Sequence, residues 1–553
     1  MTAAGSSRAT VRVAAAQCGA GTDVDANLAT VVRMIDRAAA QRPDVIVLPE
    51  FCNHLSIYDD GDHAWRVAID VPGPWVDALG DAARRAGAWV QVNCTVRRDG
   101  PTSSREPAPG RITNTNLVFS PEGRLVADND KTVLMGAEGD FLSAATGPAR
   151  PVDTPFGRIG TYACMDGVVP EVPRSVALGG ATLLLNSLNS FALDEASLHI
   201  PVRAAENRAF VVACCKVGPL LPPEKVQMFS AAMQVPGEFL AGAGESQIVA
   251  PDGTVLAMAP RTGEAVIVAD IDLAAAADKR RPDGTDVFAN RRPGAYAPLA
   301  GPTPPLDDHA RAPEVDVAVA ATLAAAAAAA DGAALVVLAE LATTADELRA
   351  VAQDAGSDVV LVSSVRDGDA HVGIAVDRTG VIGRQVQLHA VARHGRWQQR
   401  LGDAVTPVDL PWGRLGIVVG DDLVYPEVAR LAALAGCDVL AIPFDVQERW
   451  ECTLGVIERA AENRMCAVAA TRPGPLGSGL LVTLPPDFTL WAPSRERTFD
   501  GTINQPDVTV ADATGSARGT IHPERALNRQ ISKGTNLVDG RPWQVVGAAL
   551  TRV

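Results

Sequence analysis

Three blocks of this 553-residue chain return, in order and at one spacing, in its second half. Pro155-Phe-Gly-Arg-Ile-Gly160 comes back as Pro411-Trp-Gly-Arg-Leu-Gly416. Pro170-Glu-Val-Pro-Arg174 comes back as Pro426-Glu-Val-Ala-Arg430. Arg203-Ala-Ala-Glu-Asn-Arg208 comes back unchanged at Arg459–Arg464. Each pair is 256 positions apart. A repeat this long means two copies of a whole domain, not a solenoid of short units. Towards the ends the spacing drifts: Leu48-Pro-Glu50 matches Leu338-Ala-Glu340, Gly284-Thr-Asp matches Gly534-Thr-Asn, and Arg292-Pro293 matches Arg541-Pro542. The second copy is therefore shorter between its first strand and its middle.

The length agrees, since a single core rarely grows this large. Short apolar runs with strand character alternate with Ala-rich helical stretches. Val11–Gln17 reads as a strand, Asn27–Ala40 as a helix and Asp44–Pro49 as a second buried strand. Further on, Gly160–Ala163 is a strand, Pro170–Leu178 a helix and Ala181–Leu185 a strand. This is an α/β layered pattern. Pro and Gly cluster from Arg291 to Pro313, the best linker signal. The expected domains are residues 8–300, a Pro-rich linker at 301–312, and residues 313–553.

Net charge is −16. An acidic surface repels phosphate backbones and anionic lipid, so neither nucleic acid nor membrane is an expected partner. The start, Met1–Arg8, lacks the pattern of a signal peptide. The longest uncharged apolar stretch, between Asp316 and Asp331, is mostly Ala and too short to span a bilayer. The nine cysteines contain no C-x-x-C pair and suggest neither disulfides nor a zinc site. A reducing, cytoplasmic setting is expected.

Three residues of the first copy have the look of chemistry. Glu50 ends an apolar strand. Lys131 sits in Asp128-Asn-Asp-Lys131-Thr-Val-Leu134. Cys164 follows the strand Gly160–Ala163 and precedes Met165-Asp166. Taken singly, each has a plain reading: a turn carboxylate, a surface lysine, a core thiol. As an ordered set with its flanking motifs, the sequence resembles the nitrilase, or carbon–nitrogen hydrolase, superfamily over most of residues 8–300. The resemblance is carried by Leu48-Pro-Glu50-Phe51, by Lys131 with Leu134, and most specifically by Gly160-x-x-x-Cys164-x-Asp166-x-x-x-Pro170-Glu171-x-x-Arg174. Arg203-Ala-x-Glu206-Asn207, Gly244-x-Ser246, Pro251-x-Gly253 and Arg291-Arg292-Pro293 follow in the family's order.

The resemblance implies two tandem α-β-β-α sandwich domains forming an intrachain pseudo-dimer. It implies a Glu50–Lys131–Cys164 triad with Glu138 as the second acid. A free thiol is mostly protonated at neutral pH. Glu50 would take its proton and pass it to the leaving nitrogen. Lys131 and the N–H of Met165 would stabilise the oxyanion. Water would then cleave the thioester. No metal or cofactor is implied. Asp166, Pro170, Glu171 and Arg174 are expected to cap and anchor the following helix. The pair Met165-Asp166, where nitrile-cleaving members carry Trp-Glu, favours an amide or carbamoyl bond. Nitrile hydrolysis, N-acyl transfer from the thioester and a silent scaffold are the alternatives.

Phe51, Asn53, His54, Tyr58, Met165, Asn189, Ser190 and Phe191 are the candidates for substrate contact. Residues 218–243 read equally as a lid or as packing against the second domain. The expected partner is a small amide or related molecule, with self-association of the two-domain chain left open. In the second copy the nucleophile position is Gly420, the lysine position Gln387 and the Glu138 position His394; Glu340 alone survives. That copy is expected not to hydrolyse anything by this route.

Overall fold

The computed structural model of the chain describes residues 10–491 and 495–552. Met1–Arg8, the segment read for a leader, lies outside them, as does the expected start of the first domain at residue 8.

Each half is built on two six-stranded sheets. In the first half one sheet runs in the order Ala265–Asp272, Thr10–Gln17, Val45–Val47, Trp89–Arg98, Arg111–Phe119, Leu125–Asp130. The other runs Val255–Met258, Gln247–Val249, Phe210–Cys215, Leu183–Leu188, Gly157–Ala163, Val152–Thr154. The central strands are parallel and the flanking ones antiparallel. Parallel strands are covered on both faces, which is why they read as unbroken apolar runs. Val11, Val13 and Ala15 face the partner sheet with Val45, Val47, Leu183, Leu185 and Val212. Ala14 and Ala16 face the helices Val24–Ala39 and Pro74–Ala86 with Val31, Met34, Ile35 and Leu79. The first of these helices begins three residues before Asn27 because Asp23 caps it, accepting from the N–H groups of Asp25 and Ala26.

The second half repeats this plan strand for strand, in the orders Gly380–Val386, Ala370–Asp377, Val360–Asp367, Leu335–Glu340, Val315–Ala320, Ala517–Ile521 and Val408–Leu410, Gly413–Ile417, Val439–Pro443, Cys466–Ala470, Leu480–Thr483, Asp507–Val510. The chain is thus an α/β protein of two tandem α-β-β-α sandwiches. The second is shorter because Glu340 is followed within a few residues by the helix Ala345–Asp354, with no counterpart of the helix Gly61–Val67. The Ala-rich stretch after Asp316 is divided between a strand and the helix Leu323–Ala330. Among the described residues no helix is long and apolar enough to cross a membrane.

The two halves share one core. Helices Glu171–Leu178 and Ile200–Asn207 of the first half meet Pro426–Leu434 and Val456–Asn463 of the second, and Val172, Val176, Ala204, Val428, Ala432 and Ala460 belong to a single buried cluster. The charged residues of the repeat cross this layer reciprocally. Arg174 Nε pairs with Glu427 at 2.9 Å, and Arg430 Nε with Glu171 at 2.7 Å. Arg203 pairs with Glu206 and Glu462, both at 2.7 Å, and Arg459 pairs with the same two carboxylates. Residue i meeting j while the copy of j meets the copy of i is the signature of an isologous, two-fold contact. Glu171 and Arg174, expected to anchor their own helix, instead bind the other half. Their helix presents that face to the interface, where a buried charge needs a partner.

The stretch from Arg291 to Pro313 is tied down at both ends, its later part by His309 and Arg311 on Asp438. Arg291 pairs with Glu427 at 3.1 Å, Tyr296 and Leu299 are buried, and a short turn at Ala297–Ala300 packs on the C-terminal helix Trp543–Leu550.

Candidate active site

Glu50, Lys131 and Cys164 are brought together at the C-terminal ends of strands, where α/β sheets place reactive groups. Glu50 follows Val45–Val47, and its N–H donates to Leu188 O of the other sheet at 3.2 Å. Lys131 follows Leu125–Asp130, its N–H donating to Asn114 O at 2.7 Å. Cys164 follows Gly157–Ala163 and opens a single helical turn at φ 45°, in the left-handed region that a β-carbon tolerates poorly. Its N–H donates to Asn186 Oδ1 at 3.1 Å. The next helix sits close to this strand because residue 160 is glycine: a Cβ there would lie 2.1 Å from Val176.

Lys131 Nζ donates to Glu50 Oε1 at 2.8 Å and to both oxygens of Glu138 at 2.9 Å. Asn114 Nδ2 also donates to Glu50 Oε1, at 2.9 Å, while Glu50 Oε2 is buried with no hydrogen-bond partner among the described residues. Burial alone would lower the lysine pKa, but Glu138 and Glu50 overcome it and hold Lys131 well above its ordinary value. Burial pushes the Glu138 carboxyl up, against the opposing pull of Lys131. The Cys164 thiol is raised well above its ordinary range, first by burial and then by the charge of Glu50; Lys131 opposes both. The surroundings thus favour the neutral thiol on Cys164 and the charged ammonium on Lys131.

Asp166 does not anchor the following helix. Its carboxylate accepts from the N–H groups of Thr132 at 3.0 Å, Val133 at 2.7 Å and Ala163 at 3.2 Å, tying the lysine loop to the nucleophile strand. Burial raises it to about 7 against those donors and Lys131. A second buried lysine, Lys216, had no signal in the sequence; its Nζ donates to Phe51 O at 3.0 Å. The Phe51 ring lies between Lys131 and Lys216, 6.0 and 5.9 Å from the two ammonium groups.

Cys164 and Glu138 line a cavity of about 180 Å³ together with Met165, Asn189, Ser190 and Phe191. Phe51, Asn53, His54 and Tyr58 do not line it. They are buried behind Glu50: Phe51 and Tyr58 pack with Ile112 and Leu142, Asn53 Nδ2 bonds Thr95 Oγ1 at 2.7 Å, and His54 stacks on Tyr58. Phe51 too is left-handed, at φ 53°. Among the nine cysteines, all free and buried, Cys164 is the one that lines the cavity.

Residues 218–243 both wall the cavity and pack against the second half. Leu220, Leu221, Phe229, Met233 and Leu240 face the cavity, while Phe229 meets Trp491 at 5.3 Å and Phe239 meets Phe499 at 5.2 Å. The opposite wall belongs to the second half: Leu490, Trp491, Ile503, Asn504, Ile531 and Ser532. None of these, nor Ser56, Glu195 and His199 of the first half, carried a motif.

The corresponding place in the second half is filled. Gly420 keeps the left-handed backbone of Cys164, at φ 54°, and Gln387 is buried against His371. Arg393 Nη2 lies 2.9 Å from Glu340 and 2.8 Å from Asp421, so the surviving acid is held by an arginine.

Residues 12–281 match the family described as carbon-nitrogen hydrolase. The chain is similar to a nitrilase of Pyrococcus abyssi, 29% identical over 273 residues, covering 49% of this chain and 93% of that protein. It is similar also to the deaminated glutathione amidase of Bos taurus, 26% identical over 303 residues, covering 52% of this chain and 84% of that one. Among solved structures, the C. elegans NitFhit protein covers 52% of this chain and 66% of its own, at 24% identity and a TM-score of 0.43. The carbon-nitrogen hydrolase match thus lies in the first half of the chain, over residues 12–281.

Proposed function

We propose that the first half hydrolyses a non-peptide carbon–nitrogen bond of amide or carbamoyl type through a thioester on Cys164. The observation that carries this reading is the buried array of Glu50, Lys131 and Glu138 beside a thiol that opens onto a cavity. Glu50 takes the Cys164 proton as sulfur attacks the carbonyl carbon. The oxyanion forms against Lys131 and the N–H of Met165. The proton then passes from Glu50 to the departing nitrogen, which leaves as ammonia or an amine. A water deprotonated by Glu50 attacks the thioester and frees the acid and the thiol. Glu138 keeps Lys131 charged and aligned. Amide is favoured over nitrile because Met165-Asp166 replaces Trp-Glu; the names of the relatives, a nitrilase and an amidase, span both.

The second half, with Gly420 and Gln387 where the chemistry needs sulfur and a cation, has no such activity in this reading. It serves as a built-in partner that closes the cavity. Ammonia release from a panel of amides, ureido acids and nitriles, with Cys164→Ala as control, tests the proposal. Turnover of an amide or ureido acid that Cys164→Ala abolishes is the expected result. No release from any of them, and no acyl adduct on Cys164 by mass spectrometry, would overturn it.

A further inference from the structure

Each half sends a hairpin across onto the other half's site. In the first half Arg280 bridges Asp286, and Ala392 N donates to Thr285 Oγ1 at 2.8 Å. In the second half Gln530 pairs with Asn536, and Gly136 N donates to Thr535 Oγ1 at 2.9 Å. The two hairpins are thus in the same register, and Arg281 stands where Ile531 stands. Their targets correspond as well. Glu195 and Glu451 each open the single wide turn that leads into Ile200–Asn207 and Val456–Asn463, and Met165 corresponds to Asp421.

At the silent site the Arg281 guanidinium is buried between Asp421 and Glu451, 2.5 Å from the latter. At the active site Ile531 replaces that arginine, and a cavity lined by Cys164, Glu195 and Ile531 takes its place. Glu195 is left without the arginine that Glu451 has. It is 7% exposed, and its Oε2 is buried with no hydrogen-bond partner among the described residues. On the cavity, His199 pulls on this carboxyl through space but makes no hydrogen bond to Oε2. Glu138 is held by Lys131. His199 is engaged by Glu458 at 2.9 Å and stands 3.8 Å from Asp194, whose Oδ1 is also unpartnered. A buried carboxylate oxygen without a hydrogen-bond donor is costly, and a cation arriving from outside relieves that cost.

We propose that Glu195 recognises a guanidinium or primary ammonium group on the amide substrate, which occupies the place that Arg281 takes in the second half. This rests on the hydrolase reading above. The substrate is then an amide with its scissile carbonyl at Cys164 and a cationic end at Glu195. Burial pushes the Glu195 carboxyl up to about 7 against the pull of His199, so a bound cation also draws a proton off it near neutral pH. Asp421 has no equivalent at Met165, so the substrate cation meets one carboxylate where Arg281 meets Asp421, Glu451 and, at 3.6 Å, Glu448.

The test uses the full chain and amides matched in length that end in guanidinium, ammonium, methyl or carboxylate. Wild type is expected to prefer the cationic amides over the methyl one by at least about tenfold in kcat/KM. Glu195→Gln collapses that ratio towards one, and Glu195→Asp restores part of it. Ile531→Arg, which supplies an internal cation, abolishes the preference too. In parallel, calorimetry with n-butylguanidinium alone is expected to show binding to Cys164→Ala and none to Cys164→Ala/Glu195→Gln. Equal use of methyl and cationic amides by wild type, a preference for carboxylate, or an unchanged ratio in Glu195→Gln would overturn the assignment. If none of these amides is turned over, the hydrolase reading is decided by the wider panel above, and the calorimetric pair by itself decides whether Glu195 binds a cation.

Discussion

Arg174 of the first half and Glu427 of the second form a buried ion pair at 2.9 Å, returned by Arg430 and Glu171 across the same layer. Burial alone would favour a neutral Glu427. Arg174, with Arg291, overrides this and holds the carboxyl down to about 2 from an ordinary 4.5. A depressed carboxyl contributes stability that is present above the unfolded value and lost as pH falls through the folded one. The contribution at neutral pH is about 3 kcal/mol. Arg174→Met leaves Glu427 buried with one partner fewer and is expected to cost about 3 kcal/mol or more. Denaturant titrations at a series of pH values should show the gap to wild type narrowing as pH approaches 2.

Cys164→Ala is expected to lower amide hydrolysis by about 10⁴-fold or more, because no covalent intermediate can form. Lys131→Met should cost about 10²–10³-fold in kcat by removing the oxyanion's cation. It also leaves Glu50 and Glu138 buried together without the ammonium between them, so a fall in thermal midpoint should accompany it.

The Cys164 thiol should ionise only above its ordinary value of 9.0, since burial and Glu50 both disfavour the thiolate. Ultraviolet thiolate absorbance, taken as the difference between wild type and Cys164→Ala, measures this. Glu50→Gln should move the midpoint down while abolishing turnover. A midpoint below neutrality would mean a resting thiolate and no role for Glu50 in removing the proton.

Gly420→Cys with Gln387→Lys, on a Cys164→Ala background, should not restore activity. A Cβ at residue 420 lies 2.6 Å from Glu340 Oε2, Arg393 already holds that carboxylate, and Arg281 fills the place of a substrate. The left-handed backbone adds about 1–2 kcal/mol of strain for any residue with a β-carbon. Turnover by this variant would show the second site to be open after all.

Residues 1–305 expressed alone should be insoluble or inactive. The fragment exposes Val172, Val176 and Ala204, strips Arg203 of Glu462, and opens the cavity on the side of Ile503 and Ile531. Solubility and specific activity of the fragment against the full chain check this. A soluble, fully active fragment would remove the proposed role of the second half.

Glu50, Lys131 and Cys164 were legible as a set because they sit in runs whose spacing reflects strand ends, and strand ends follow from local pattern. The strands themselves were placed to within a few residues for the same reason. Phe51, His54 and Tyr58 follow Glu50 in sequence but pack away from the cavity, because adjacency in sequence does not fix which way a side chain faces after a left-handed residue such as Phe51. Asp166, Glu171 and Arg174 stood out as a motif, but their partners lie on other segments: Thr132 and Val133 for the first, Arg430 and Glu427 for the others.

By itself the sequence determined that the chain is two copies of one α/β domain and that only the first carries a sulfur, an acid and a lysine in the family's order. These are properties of periodicity and of residue type, which local sequence holds. Tertiary structure alone decided how the copies face each other, that the second supplies a wall of the first one's cavity, and that Ile531 stands opposite Glu195 where Arg281 stands opposite Glu451. Those relations join residues hundreds of positions apart, and they arise only when two curved surfaces pack and every buried charge must find its partner.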